Sequence, residues 1–187
     1  MPSFRSLGLS LAASLVIALA ACDGDGAPDD AQLGMGSGEP AELAGTLIAH
    51  NQVRQQVGLP PLTWDPALAA IAKAWAAKCV DVEDPIGLID HNAGRSSGQS
   101  GPVGENIYGA SSGATGPAAV NSWASEAANY NYASNQCSDV CGHYTQLVWR
   151  ETERVGCALQ ECPALRFGST VVCDYSPAGN VNNRRPY

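Results

Sequence analysis

Six cysteines, at positions 79, 137, 141, 157, 162 and 173, follow an N-terminal stretch that reads as an export signal, and together they restrict the chain to a disulfide-stapled fold. An even number of thiols in an oxidising compartment is expected to pair into three bridges. Sequence spacing favours only the short loop between Cys137 and Cys141 and leaves the other pairings open. A competing use is a zinc-thiolate site, because Cys137, Cys141 and His143 lie close together, although no second half-site of matching spacing is present.

Arg5 precedes an uncharged Leu- and Ala-rich run from Ser6 to Ala21 that is short for a membrane span and ends in small residues. Residues 1–21 are therefore read as a secretory signal peptide. Leu19-Ala20-Ala21-Cys22 resembles the lipobox of bacterial lipoproteins, which implies that Cys22 is the lipidated first residue of the mature chain. The protein is thus expected to be exported, either lipid-anchored in a bacterial cell envelope or secreted. From Asp23 to Pro40 the chain has five acids, no base and five glycines, so residues 22–41 read as the lipobox cysteine and a flexible acidic tether. The remaining unit, residues 42–187, is long enough for one core that buries roughly two thirds of its unfolded surface. It is only mildly acidic, which excludes a nucleic-acid partner of the usual basic kind.

Leu43, Leu47, Ile48 and Val53 predict a helix over 42–57, with Asn51 and Gln52 on its opposite face. Asp65 as cap and Pro66 as first residue predict a second helix carrying Leu68, Ile71, Trp75 and Cys79. Asp84 to Gly116 is rich in Gly, Ser and Pro and is expected to be a long loop region, of the kind that often carries function. Pro117 opens a third helix with Val120, Trp123, Ala127 and Tyr130 on its buried stripe. Tyr144–Arg150 suits a short helix, and Val155–Ala158 and Ser169–Tyr175 read as strands. The class is mixed, α/β or α+β.

Gly142-His143-Tyr144-Thr145-Gln146-Leu147-Val148-Trp149 resembles a signature of the superfamily of cysteine-rich secretory proteins, insect venom antigen 5 and plant pathogenesis-related proteins of the first class (the CAP, or SCP, domain). His50-Asn51-Gln52-Val53-Arg54, Gly104-Glu105-Asn106-Ile107 and Cys173-Asp174-Tyr175-Ser176-Pro177-Ala178-Gly179-Asn180 are similar to three further motifs of that superfamily, in the same order. Ala128-Asn129-Tyr130-Asn131-Tyr132 and the ending Arg185-Pro186-Tyr187 resemble the plant branch most. Asp174, where that branch usually has Asn, and the irregular stretch between His91 and Gly104 are departures.

The resemblance implies an α+β fold, a three-layer α-β-α sandwich, with disulfides Cys79–Cys162, Cys137–Cys141 and Cys157–Cys173. It also implies a cleft formed by His91, Glu105, Glu126 and His143. The two histidines would be the ligands of a weakly bound divalent cation such as zinc, and the carboxylates would hold their N–H groups or position metal-bound water. The expected function is a monomeric exported binding module for a lipid, a sterol or an extracellular protein. The alternative is a metal-assisted hydrolase of the peptidase kind, with Glu105 or Glu126 as general base.

Other features are read as structural. His50 sits on a helix face and is expected to make structural hydrogen bonds. The four tryptophans are expected to pack the core, and Pro177–Tyr187 to form a structural tail. Gly109-Ala110-Ser111-Ser112-Gly113 fits a serine-hydrolase pattern but lies in Ser/Gly-rich sequence without an evident strand before it or helix after it.

Overall fold

The structure, a computed structural model, describes residues 38–84, 86–182 and 184–187. The expected signal peptide, Cys22 and nearly all of the tether lie outside the described residues. Among those described, no helix is long and apolar enough to cross a membrane.

The helix expected from residue 42 is divided into a short 3-10 turn, Ala41–Leu43, and α1, Thr46–Gln56. The break falls at Gly45, whose φ of 85° other residues rarely adopt. Asn51, expected on the solvent face of α1, is buried. Its amide brackets Leu62, donating from Nδ2 to the carbonyl and accepting the N–H at Oδ1, which ties the helix to the segment before β1. Helix α2, Pro66–Ala76, begins where the cap signals placed it, with Asp65 Oδ1 accepting from the N–H groups of Ala67 and Leu68. Its buried residues are Leu68, Ala72 and Ala76, while Ile71 and Trp75 are only half-buried. Helix α3, Gly116–Ser125, buries Ala119, Val120 and Trp123. The chain then tightens into a 3-10 turn over Glu126–Asn129, which turns Ala127 out to solvent. Helix α4 is Gly142–Leu147.

The strands are β1 Thr63–Trp64, β2 Gly104–Ala110, β3 Tyr130–Asn131, β4 Gln136–Cys137, β5 Arg154–Glu161 and β6 Ser169–Ser176. The main sheet has the order β1-β5-β6-β2, with β1 parallel to β5 and the other pairs antiparallel; β3 and β4 form a small separate hairpin. Strand β2 lies inside the stretch expected to be loop. Its sequence, GENIYGA, has little intrinsic strand preference, and it is a strand because all seven residues pair with β6.

Alternation along β6 builds the layers. Val171, Cys173 and Tyr175 pack in one cluster with Leu47 and Val53 of α1, Val120 and Trp123 of α3 and Leu147 of α4. Val172 packs in the other with Ala72 and Ala76 of α2, Ile107 of β2 and Ala158 of β5. The fold is therefore α+β, a three-layer α-β-α sandwich with α1, α3 and α4 on one face and α2 on the other.

The three disulfides are Cys79–Cys162, Cys137–Cys141 and Cys157–Cys173. Cys137 and Cys141 are thus bonded to each other, which removes the zinc-thiolate alternative. Cys157 and Cys173 are direct cross-strand partners of β5 and β6, with Cα atoms 4.1 Å apart. Cys79–Cys162 fastens the end of α2 to the end of the sheet across a sequence separation of 83 residues. Replacing both Cys79 and Cys162 by alanine is expected to lower stability by about 3 to 4 kcal/mol through the freed denatured-chain entropy. Urea melts would show this as a lower midpoint, and an unchanged midpoint would refute it.

Candidate functional site

The sequence motifs meet around one buried side chain. Gln146 accepts the N–H of Gly179 at Oε1 and donates from Nε2 to Thr152 Oγ1. A Cβ on Gly104 would stand 2.2 Å from Gln146 Oε1, and one on Gly179 2.8 Å from the same atom. Two glycines from distant motifs are therefore needed because the same amide lies against both. Asn180 completes the junction, accepting from Thr145 Oγ1 and donating to the carbonyl of Gly142. Asn106 on β2 donates to the carbonyl of His143. These bonds fix α4 against the sheet and so fix His143.

Two histidine–carboxylate pairs follow. His143 Nδ1 lies 2.6 Å from Glu126 Oε1, and Glu126 Oε2 accepts the backbone N–H of His143 at 3.0 Å and of Tyr144 at 3.3 Å. Glu126 thus satisfies first-turn donors of α4 while orienting the imidazole. Trp123 stacks on that ring with centroids 6.3 Å apart, and its indole N–H donates to the carbonyl of Ile107. His91 Nδ1 lies 2.6 Å from Glu105 Oε1, which also accepts the N–H of Asn92 at 2.9 Å. The Glu105 side chain is buried, whereas His91 is half-exposed. The irregular stretch after His91 folds on itself, with Arg95 donating to the carbonyls of Asn92 and Val103.

Both histidines line one cavity of about 360 Å³. Its apolar wall is Leu88, Ile89, Ile107 and Val140, and Glu83, Asp84 and Asp90 are also part of its lining. Of these four only Ile107 lies in one of the sequence motifs; Leu88, Ile89 and Val140 were not singled out in the sequence. Glu105 and Glu126 are not part of the lining; they stand behind the imidazoles and are engaged with N–H donors. That arrangement suits carboxylates that orient histidines and does not suit the expected role of a general base on water in the cleft. Among the described residues no three His, Cys, Asp or Glu side chains come together as a metal site.

His50 lies apart from this cleft. It is fully buried, its Nδ1–H donates to the carbonyl of Thr46, and its Nε2 accepts from the hydroxyl of Tyr175. Burial lowers its pKa to about 4, so the ring is neutral at physiological pH. Ser111 follows β2 directly and α3 begins at Gly116, so a strand and a helix do flank the serine-hydrolase pattern. Ser111 is nevertheless exposed and is not among the residues lining the cavity of His91 and His143. Trp123 and Trp149 are core residues, while Trp64 and Trp75 are half-buried. The C-terminal tail is docked: the carbonyl of Tyr187 accepts from Tyr132 Oη, the two rings stack at 4.8 Å, and the carbonyl of Pro186 accepts from the Arg150 N–H.

The family described as the cysteine-rich secretory protein family (CAP) matches residues 47–175. Pathogenesis-related protein 1 of Arabidopsis thaliana is 43% identical over 141 residues, 75% of this chain and 80% of that protein. Among solved structures, venom allergen-like protein 4 of Schistosoma mansoni has 29% identity and a TM-score of 0.58, covering 80% of this chain and 95% of that one. A structure of NaASP2 with Zn2+ has 26% identity and a TM-score of 0.58, covering 81% of this chain and 87% of that one.

Proposed function

The chain belongs to the cysteine-rich secretory protein family, and on that premise we propose that it is a monomeric exported binding module whose cleft accepts a lipid, a sterol or an apolar segment of an extracellular protein. The observation that carries this reading is the cavity itself: about 360 Å³, within the range of small-molecule sites, with an aliphatic wall and two oriented imidazoles. Val140 in that wall is 59% exposed, and Val82 and Ile86, which bracket the Glu83–Asp84 lining in sequence, are 78% and 59% exposed. Such aliphatic exposure beside a cavity suits an apolar ligand. Three disulfides fit an exported protein. Lipidation of Cys22 would hold the domain to the envelope on its acidic tether, and the intact mass of the mature protein tests this.

The residues fit a weakly held divalent cation such as zinc. A neutral imidazole whose Nδ1–H donates to a carboxylate presents Nε2 as a lone pair, and the carboxylate raises its basicity. In both His91 and His143 the Nδ1 atom faces a carboxylate oxygen at 2.6 Å, which leaves Nε2 as the atom available to a cation. Two nitrogens are fewer than the three protein ligands usual at catalytic zinc, so exchangeable binding is expected. When bound, the cation supplies a Lewis-acidic point with open positions for an oxygen of the ligand.

Zinc titrated into the purified protein is expected to shift the ring resonances of His91 and His143 together. Glu126→Gln should weaken the binding by about 10- to 100-fold. Lipids co-purifying with the protein should be detected by native mass spectrometry and lost in a Val140→Asp variant. Unmoved histidine resonances would remove the cation from the reading. Absence of saturable lipid, sterol or partner binding would remove the rest.

A further inference from the structure

Beneath His91 lies a second carboxyl group that the cleft described above does not use. Asp174 on β6 is the direct cross-strand partner of Glu105 on β2, and its side chain is completely buried. Three carboxyl oxygens, Glu105 Oε2 and both of Asp174, are buried with no hydrogen-bond donor from any described residue. Acidic side chains directly opposite each other on neighbouring strands repel when both are charged, and burial makes that repulsion severe. One proton held between the two groups removes the repulsion and supplies the missing donor. Glu105 Oε1 already accepts from His91 and Asn92, so Glu105 is the acceptor of the pair.

We propose that Asp174 is a proton-bearing positioning residue of the cleft, its carboxylic acid O–H donating to Glu105 Oε2 and so fixing the carboxylate that orients His91. The surroundings agree. On β5 the partner of Asp174 is Gly156, which has no side chain, and the buried residues of α2 on this face, Leu68, Ala72 and Ala76, do not ionise. The neighbouring Tyr175 uses its hydroxyl on the other face, toward His50 and Asn106. Among the described residues Arg95 is the one cation that acts on Asp174, and its Nε and Nη1 already donate to backbone carbonyls. Burial first, then the charge of Glu105 and the hydrogen bond to it, push the Asp174 carboxyl up to about 8, with Arg95 pulling the other way.

The consequence is a pH dependence of definite sign. As pH rises above the ordinary value of 3.8, the unfolded chain releases the Asp174 proton while the folded chain keeps it. Stability therefore declines from that value until pH passes about 8, where the folded form releases it too. Asparagine at this position donates an amide N–H to Glu105 without titrating. The melting temperature of Asp174→Asn relative to the wild type is expected to rise by several degrees between about pH 5 and about pH 9. In Asp174→Ala the His91 ring resonances should shift, and Asp174→Asn should restore them.

Parallel melting curves for wild type and Asp174→Asn would overturn the proposal. A measurement on the wild type alone covers the case of a variant that does not fold: a protonated-carboxyl C=O infrared band should persist at about pH 6 and vanish above about pH 9. Its absence at the lower pH would also overturn the proposal. None of these readouts involves a ligand, so their failure would leave the binding function of the cleft untouched.

Discussion

Arg54→Met is expected to lower the stability of the domain by on the order of 4 kcal/mol or more, a large part of what a domain of this size possesses. Arg54 is 1% exposed, and no carboxylate pairs with it among the described residues. Its guanidinium instead donates to four backbone carbonyls: Nε to Pro60, Nη1 to Leu147 and Trp149, and Nη2 to Thr152. Leu147 ends α4, and the other two residues of the last three form the turn into β5, so these carbonyls have few other donors. Methionine fills a similar volume and leaves the buried carbonyls of Leu147 and Thr152 without their guanidinium donor, while Trp149 keeps only the N–H of Thr152. Lysine should recover only part of the loss, because an ammonium cannot reproduce a planar fork of donors. Burial lowers the Arg54 pKa to about 10, which still leaves the group charged at neutral pH. Chemical denaturation checks the prediction, and an Arg54→Met protein within about 1 kcal/mol of wild type would refute it. Because Arg54 anchors the end of α4, His143 resonances should also broaden or shift in Arg54→Lys.

The second large effect is expected at Gly156. A Cβ there would lie 2.2 Å from the backbone N of Ala69 and 2.4 Å from the carbonyl oxygen of Asp65. These are atoms of the first turn of α2, held by the Asp65 cap, so no side chain can rotate away to relieve the clash. Gly156→Val should force α2 off the sheet and cost about 4 kcal/mol, beyond the usual range for an overpacked core. Gly101→Ala, with no heavy atom within 4 Å of the new methyl, is the control and should be nearly neutral. Equal melting behaviour of the two variants would show that α2 does not approach β5 as closely as described.

Legibility in the sequence followed the range of the interactions. The start of α2 could be read from Asp65 and Pro66 because a cap acts within three residues, and β5 and β6 carry their own β-branched residues. Strand β2 could not be read, since Gly104–Ala110 becomes a strand only through β6, Ser169–Ser176, far along the chain. The buried side of α1 was misjudged at Asn51 for a related reason. An amide looks solvent-facing until Leu62 supplies it with an acceptor and a donor. At the cleft, the residue types His91, Glu105, Glu126 and His143 came from motif resemblance, while the approach of Leu88, Ile89 and Val140 to them, and the pairing of Asp174 with Glu105, had no local signature.

By itself the sequence determined the cysteine count, the local helix signals and the mildly acidic charge, because each depends on residues close together in the chain or on simple totals. Tertiary structure alone decided which donors meet which acceptors: Arg54 with four carbonyls, Gln146 with two glycine motifs, and Asp174 with Glu105. The physical reason is that burial turns each polar group into an obligation to find a partner, and that partner is selected by how the layers stack rather than by its neighbours along the chain.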